Sequence, residues 1–364
     1  MSSAASSPPQ QSFTHVVKGY WNDFRREARY SFESVIAELP SGAADAPLVR
    51  RLWYFARAMF YRLTPARRAV LLIALAFLVS CFFISGEAPD SGTAPRAVFA
   101  ALCLLMLLGL ELADRVALKR DLELARRIQS WLLPQTPPQI PGLEIAFASR
   151  PANTVAGDYY DVLSPPAGLP ATLFVLADVA GKGIPAGLLT ACFRSCLNTL
   201  AESIQDPGLL AERLRKFCFA DSNGGRHFTT AFLARYDPGA RNLSYVSAGH
   251  NPALLRRASG ELTQLPATGV PFGAFRDATY EMANISIEPG DLLLVYSDGI
   301  IEASNEAGDE FTFDRLCAFT GRPLGSADNY QKQLFRFLDD FTGKAPQHDD
   351  MTCLIVQFSA TQPA

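Results

Sequence analysis

Four acidic sites between residues 158 and 350 of this 364-residue chain share one local design. Asp158 follows Ala156-Gly157 in AGDYYDV, and Asp178 ends the apolar run TLFVLA. Asp298 ends DLLLVYS and precedes Gly299, while Asp349-Asp350 leads directly into MTCLIVQF. Each places a carboxylate where an apolar strand meets a turn, so the strand anchors the residue and the rim presents it. One Asp-Gly after a strand is ordinarily just a turn. Should the four ends converge, however, their like charges would repel at close range, and a divalent cation would relieve the repulsion. Oxygen ligands without His or Cys favour Mg2+ or Mn2+ over zinc. Two such ions can lower the pKa of a water and aim it at phosphorus. The four histidines, His15, His227, His250 and His348, show no metal-ligand spacing.

The segment DVAGKGIPAGLLTA looks like a phosphate cradle but fails that test. A Walker loop needs G-x-x-x-x-G-K-[ST], and here Leu176 and Gly183 occupy the first glycine and the Ser/Thr positions. The chemistry therefore rests on Asp178, with Gly181 and Gly183 free to turn the backbone tightly beside it. Lys182 and Arg150 are candidate phosphate or substrate contacts, each with an ordinary alternative as a solvated or salt-bridged side chain. His250, in AGHNP, reads as a loop organiser rather than an acid.

These acids need strands to carry them. From Pro141 onward short β-rich runs appear: Leu143–Ser149, Thr172–Ala177, Thr229–Tyr236, Asn242–Ser247, Asp291–Ser297 and Thr352–Phe358. Helical stretches, Ile184–Leu200, Asp206–Ala220 and Asn329–Phe341, separate some of them. Short turns such as DPGAR favour antiparallel pairing over a βαβ winding. The expectation is an α+β domain over 141–364.

The first third has another texture. Ala69–Ser85 carries no charge, and Ala97–Leu110 continues to Ala113 through a single Glu111. A spanning helix wants roughly 20 apolar residues, with about 17 as the lower edge; the first segment qualifies and the second is marginal. Six arginines between Leu48 and Arg68, with no acid, and five bases from Arg115 to Arg127 flank the pair. The positive-inside rule then puts both flanks in the cytoplasm. Trp53, Tyr54, Phe55, Phe60 and Tyr61 among the arginines suit a helix on membrane lipid headgroups. The expected organisation is a cytoplasmic leader over 1–68 with a surface helix at Gly19–Leu39, a two-helix transmembrane hairpin over 69–113, and a linker helix over 114–140. Leu118, Leu122, Ala125, Ile128 and Leu132 give that linker one apolar stripe, for a homodimer partner or for the following domain. A net charge of −3 gives no global basic field for nucleic acid. Seven scattered cysteines without zinc spacing suit a reducing compartment.

Taken in order, AGDYYDV, LADVAGKGIPAGLLTA, TTAFLARYD, LSYVSAGHNPALL, LLLVYSDGIIEA and HDDMTCLIV resemble the SpoIIE-like bacterial branch of the metal-dependent PPM (type 2C) serine/threonine phosphatases. The preceding LELARRIQSWLLPQTPPQIPGLEIA looks like the linker helix of that family. The resemblance covers roughly residues 120–358. It implies an αββα sandwich of two antiparallel sheets with two Mn2+ or Mg2+ ions at one end. It further implies Asp158 as the first ligand, Asp178 bridging both ions, the Val179 carbonyl as a further ligand, and Asp298 as the SDG ligand. The last-motif ligand is Asp349 or Asp350, and Asp161 is a candidate for an outer metal position. The implied substrate is a phosphorylated anti-anti-sigma (STAS-type) protein, met at the bacterial inner membrane. Ala156 departs from a position where Gly is frequent, and it would disfavour positive φ. That departure keeps a second expectation open, a phosphatase-fold scaffold binding partners without turnover.

Overall fold

The computed structural model describes residues 48–84, 93–164, 171–220, 227–323 and 325–359. The expected helix at Gly19–Leu39 and most of the turn between the apolar segments lie outside the described residues. The chain divides into two compact units, Met1–Val116 and Ala117–Ala364.

In the first unit, helix α1 (Leu48–Arg62) gives way to α2 (Pro65–Ile84), followed by α3 (Thr93–Leu132). Pro65 lacks the N–H that α1 would need to continue, yet fits the first turn of α2. Within the unit α2 meets the start of α3. Arg67 pairs with Asp114 at 2.7 Å, Phe77 packs on Phe99 at 4.7 Å between ring centroids, and Ala74 and Ala100 are fully buried. Leu72, Val79, Phe83, Leu102 and Leu105 remain exposed. Among the described residues, α3 is the helix long and apolar enough to cross a membrane by length and composition, although the first apolar segment had read as the stronger. Nor does the chain break between the second apolar segment and the linker. Both lie in one 40-residue helix, because after Pro95 only Gly109 weakens it, and one glycine costs a helix only about 1 kcal/mol.

The second unit is built on two five-stranded antiparallel sheets. One has the order β1 (Leu143–Arg150), β10 (Met351–Phe358), β9 (Leu292–Tyr296), β6 (Ala253–Arg256) and β7 (Leu262–Leu265). The other runs β2 (Asp158–Leu163), β3 (Thr172–Val179), β4 (Thr229–Asp237), β5 (Asn242–Ala248) and β8 (Ala283–Ser286). Strand periodicity sorts the side chains into layers. Phe174, Leu176, Leu293, Val295, Leu354 and Val356 point inward and form the core between the sheets. Leu173, Val175 and Ala177 point outward against α4 (Ile184–Ser203) and α5 (Pro207–Ala220). On the opposite face Leu292, Leu294, Tyr296, Cys353 and Ile355 pack under α6 (Asp298–Ile301), α7 (Phe313–Thr320) and α8 (Ala327–Thr342). The result is the expected αββα sandwich.

The end of α3 belongs to this unit. Its covered face differs by one position from the stripe in the sequence: Gln129 is buried, whereas Ile128 and Trp131 are exposed.

Candidate metal and phosphoester site

The inward-facing parity that builds the core also assembles the site. Asp158 and Asp178 are direct register partners at the ends of β2 and β3. They share the inner face with Tyr160, Val162, Phe174 and Leu176. From the other sheet, Asp298 follows β9, and Asp349-Asp350 enters β10, which pairs with β9. Ser297 and Thr352 occupy the inward positions next to these acids.

Electrostatics shows the acids to be neighbours. Burial pushes the Asp158 carboxyl well above its usual range, and Asp178 and Asp350 push it further; the Thr352 and Ser297 hydroxyls offset this in part. Asp178 is raised to about 7, first by burial and then by Asp298, Asp349 and Asp350, with Lys182 opposing. Asp298 is raised by burial and by Asp349. One carboxylate oxygen of Asp158, Oδ2, is buried without a hydrogen-bond partner. A buried orphan acceptor among mutually repelling acids is the local chemistry that a divalent cation satisfies. Among the described residues, no three His, Cys, Asp or Glu side chains already close on a common point. The donor set nevertheless fits hard cations, since it consists of oxygens alone.

Backbone approach shapes the same place. A Cβ at Gly157 would lie 3.0 Å from the Val179 carbonyl oxygen and 3.4 Å from Asp178 Oδ1. The Val179 carbonyl oxygen and Asp178 Oδ1 thus both approach the same glycine of the Asp158 loop. Gly183 has φ of 73° and caps α4, in agreement with the tight turn read from GKG. Ala156 is buried and outside the left-handed region, so the extra methyl causes no backbone strain.

Asp350 is held differently from the other acids. Its Oδ1 accepts the Ala152 N–H at 2.7 Å and its Oδ2 the Gly157 N–H at 2.6 Å. Asp349 Oδ2 pairs instead with Lys182 Nζ at 2.9 Å. Lys182 also donates to the His348 carbonyl at 2.8 Å. Arg150 forms a two-pronged pair with Asp339 and lies over the Phe335 ring at 5.0 Å. Both cations line one cavity of about 430 Å³, together with Asp349, Gly299 and Glu302.

Asp161 does not join the cluster. It lies three residues along β2 from Asp158 and so faces the outer side of the sheet. Its two oxygens accept the Tyr159 hydroxyl and the Val162 N–H, each at 2.8 Å. The outer-metal expectation for Asp161 is thus corrected by strand parity. His250 is buried, its Nδ1 lies 2.9 Å from Thr230 Oγ1, and burial lowers it to about 4, so it is a neutral structural group. Thr230 is itself the register partner of Asp178.

Sequence reasoning missed Gln129, Thr190, Ser297 and Thr352. Gln129 Nε2 donates to the Ala156 carbonyl at 2.7 Å, and its Oε1 accepts the Ala156 N–H at 2.9 Å. Thr190 Oγ1 donates to the Gly157 carbonyl at 2.9 Å. The available signals were a polar residue on an amphipathic helix and hydroxyls flanking SDG and DDM.

An αββα sandwich with acids gathered at one end is the architecture of PP2C phosphatase domains. Solved structures agree on the fold. The SiaA-PP2C domain of Pseudomonas aeruginosa superposes with a TM-score of 0.61 at 21% identity, over 68% of this chain and 99% of that one. The PP2C domain with a regulatory fragment of SpoIIE from Bacillus subtilis gives 0.54 at 19% identity, over 61% and 63%. The family model for stage II sporulation protein E (SpoIIE) matches residues 170–359. The chain belongs to the SpoIIE family. It is similar to phosphoserine phosphatase RsbU of Bacillus subtilis, 28% identical over 66% of this chain and 70% of RsbU. It is also 29% identical to phosphoserine phosphatase RsbP of the same organism, over 57% of this chain but only 50% of RsbP.

Proposed function

We propose that this chain is a metal-dependent protein-serine/threonine phosphatase that removes phosphate from a phosphorylated anti-anti-sigma (STAS-type) protein. The observation that carries the reading is the facing pair Asp158 and Asp178, with Asp298 and Asp349 beside it and a buried carboxylate oxygen left without a partner. Similarity to RsbU and RsbP supports the reaction class and the kind of substrate.

Asp158, Asp178, Asp298 and Asp349, with the Val179 carbonyl, would hold two Mn2+ or Mg2+ ions. Bound there, such ions supply Lewis-acid activation of water and charge for the phosphoryl oxygens. The protein's own groups do the rest. Packing of the two inner faces behind Asp158 keeps water out from beneath the acids. The cavity beside Asp349 admits a phosphorylated side chain, and Lys182 supplies a cation at its mouth. Arg150, braced by Asp339 and Phe335, forms a fixed wall.

The anchoring part of the reading places α2 and the first part of α3 in the bacterial inner membrane, with α1 on its lipid headgroups and the sandwich in the cytoplasm. The apolar α3 and the acid-free, arginine-rich α1 support it. Self-association through 114–140 completes the reading, supported by the exposed Leu118, Leu124, Ile128 and Trp131. The scaffold alternative loses the motive drawn from Ala156, which sits without strain, and all four acidic sites are kept.

The test is hydrolysis of a phosphoserine protein by the full chain with Mn2+. Turnover that stops with EDTA and with Asp178→Asn is expected. Turnover unaffected by both would overturn the metal chemistry.

A further inference from the structure

Asp350 touches the segments that bear Asp158, Asp298 and Asp349. Its two carboxylate oxygens take the N–H groups of Ala152 and Gly157, which are 198 and 193 residues away in sequence. These two amides bracket the loop that delivers Asp158. The Asp350 carbonyl accepts the Ser297 hydroxyl at 2.9 Å, beside Asp298. A Cβ at Gly299 would come within 2.3 Å of that same carbonyl oxygen, so the turn carrying Asp298 rests directly on the Asp350 peptide. The Asp350 N–H donates to Asp349 Oδ1 at 2.9 Å. The side chain is nearly inaccessible, at 7% exposure.

We infer that Asp350 is a positioning residue, which fixes the Ala152–Asp158 loop so that Asp158 meets Asp178 from the correct side. Each oxygen is committed to a backbone donor, and hydrogen bonds to an ionised acceptor are the strong kind. The paired acid next to it takes only the adjacent Asp350 N–H on Oδ1, holds no distant backbone amide among the described residues, and turns Oδ2 to Lys182 at the cavity. The DD pair in HDDM thus divides its labour: Asp349 faces the cavity and Asp350 holds the loop. This assignment rests on the phosphatase reading for its metal-binding arm alone; the loop clamp stands without it.

Hydrogen exchange with mass spectrometry on the purified metal-free full chain separates the roles. In the wild type, peptides covering 152–158 should exchange slowly before any metal is added. Asp350→Asn keeps one acceptor but turns an amide NH2 toward the other donor, so exchange there should rise about tenfold or more. Asp349→Asn should leave that segment protected. Calorimetry with MnCl2 should find the Asp350→Asn affinity about tenfold weaker at unchanged stoichiometry, while circular dichroism reports an intact fold. Fast exchange of 152–158 in the wild type overturns the inference even if the variant fails to fold. So does an Asp350→Asn chain that loses one Mn2+ equivalent while its loop stays protected, since that is the behaviour of a ligand. Absence of Mn2+ binding in the wild type would count against the phosphatase reading and leave the exchange result to decide the clamp.

Discussion

Gln129, near the end of the long helix, and Ala156, two residues before Asp158, exchange a pair of hydrogen bonds of 2.7 and 2.9 Å. The helix that issues from the apolar unit therefore touches the candidate site through one side-chain amide. Gln129→Ala leaves a buried N–H and a buried C=O unpaired, at a cost of about 1–3 kcal/mol each unless water enters. Activity should fall at limiting Mn2+ and recover in part at saturating Mn2+, because the loop is loosened while the ligands remain. Gln129→Glu keeps the acceptor but turns a carboxylate oxygen toward the Ala156 carbonyl, and should fall at least as far. Steady-state rates across a Mn2+ titration check this. A wild-type Mn2+ dependence in Gln129→Ala would show that the contact is idle.

The raised Asp178 makes metal-free stability depend on pH. Its carboxyl titrates near 7 in the folded chain, against an ordinary value of 3.8. Between those values the folded state holds a proton that the unfolded chain has released. Stability is therefore fully present at low pH and declines as pH rises from about 4 to 7. The loss is on the order of a few kcal/mol. In EDTA, the full chain should melt at lower temperature at about pH 8 than at about pH 5, relative to Asp178→Asn measured alongside. Mn2+ should remove most of that difference. A melting temperature that rises over this interval in the wild type relative to Asp178→Asn would contradict the charge clustering.

Gly157→Ala tests the close approach at the loop. The added methyl would press on the Val179 carbonyl oxygen at 3.0 Å and lie in ordinary contact with Asp178 Oδ1 at 3.4 Å. Overpacking of this kind costs about 1–3 kcal/mol. Turnover should drop at least tenfold with a smaller effect on KM. Full activity in this variant would mean that Val179 and Asp178 have room to spare.

Much of this was legible in the sequence because strand parity and strand-end acids are local patterns. TLFVLAD and DLLLVYSD announce apolar strands that end in a carboxylate, and both strands form as read. AGDYYDV proved harder: β2 begins at Asp158 itself, and its alternation is blurred because Tyr159 and Asp161 are buried on the outer face beneath α4. The outer-metal role for Asp161 rests on the family resemblance alone, and this parity is what removes it. The short strands β6, β7 and β8, of four residues each, were missed because they owe their pairing to long-range partners rather than to their own composition. The Gln129 contact was invisible for a related reason. Its partner lies across a proline-rich break, and helical periodicity alone favoured Ile128 on the covered face.

Lys182 and Arg150 line the same cavity but should respond differently to removal. Lys182 is half exposed, and among the described residues its ammonium reaches Asp349 and the His348 carbonyl. A phosphoryl group arriving beside Asp349 can compete for it, because an exposed ion pair contributes little to stability. Arg150 is already engaged by both oxygens of Asp339 and by the face of Phe335. Lys182→Ala should therefore raise KM for a phosphoserine protein severalfold with little change in melting temperature. Arg150→Ala should lower the melting temperature by loosening α8 against β1, and change KM less. Comparing both constants with both melting curves decides between them. If Arg150→Ala raises KM more than Lys182→Ala while leaving stability unchanged, the roles assigned to the two cations are reversed.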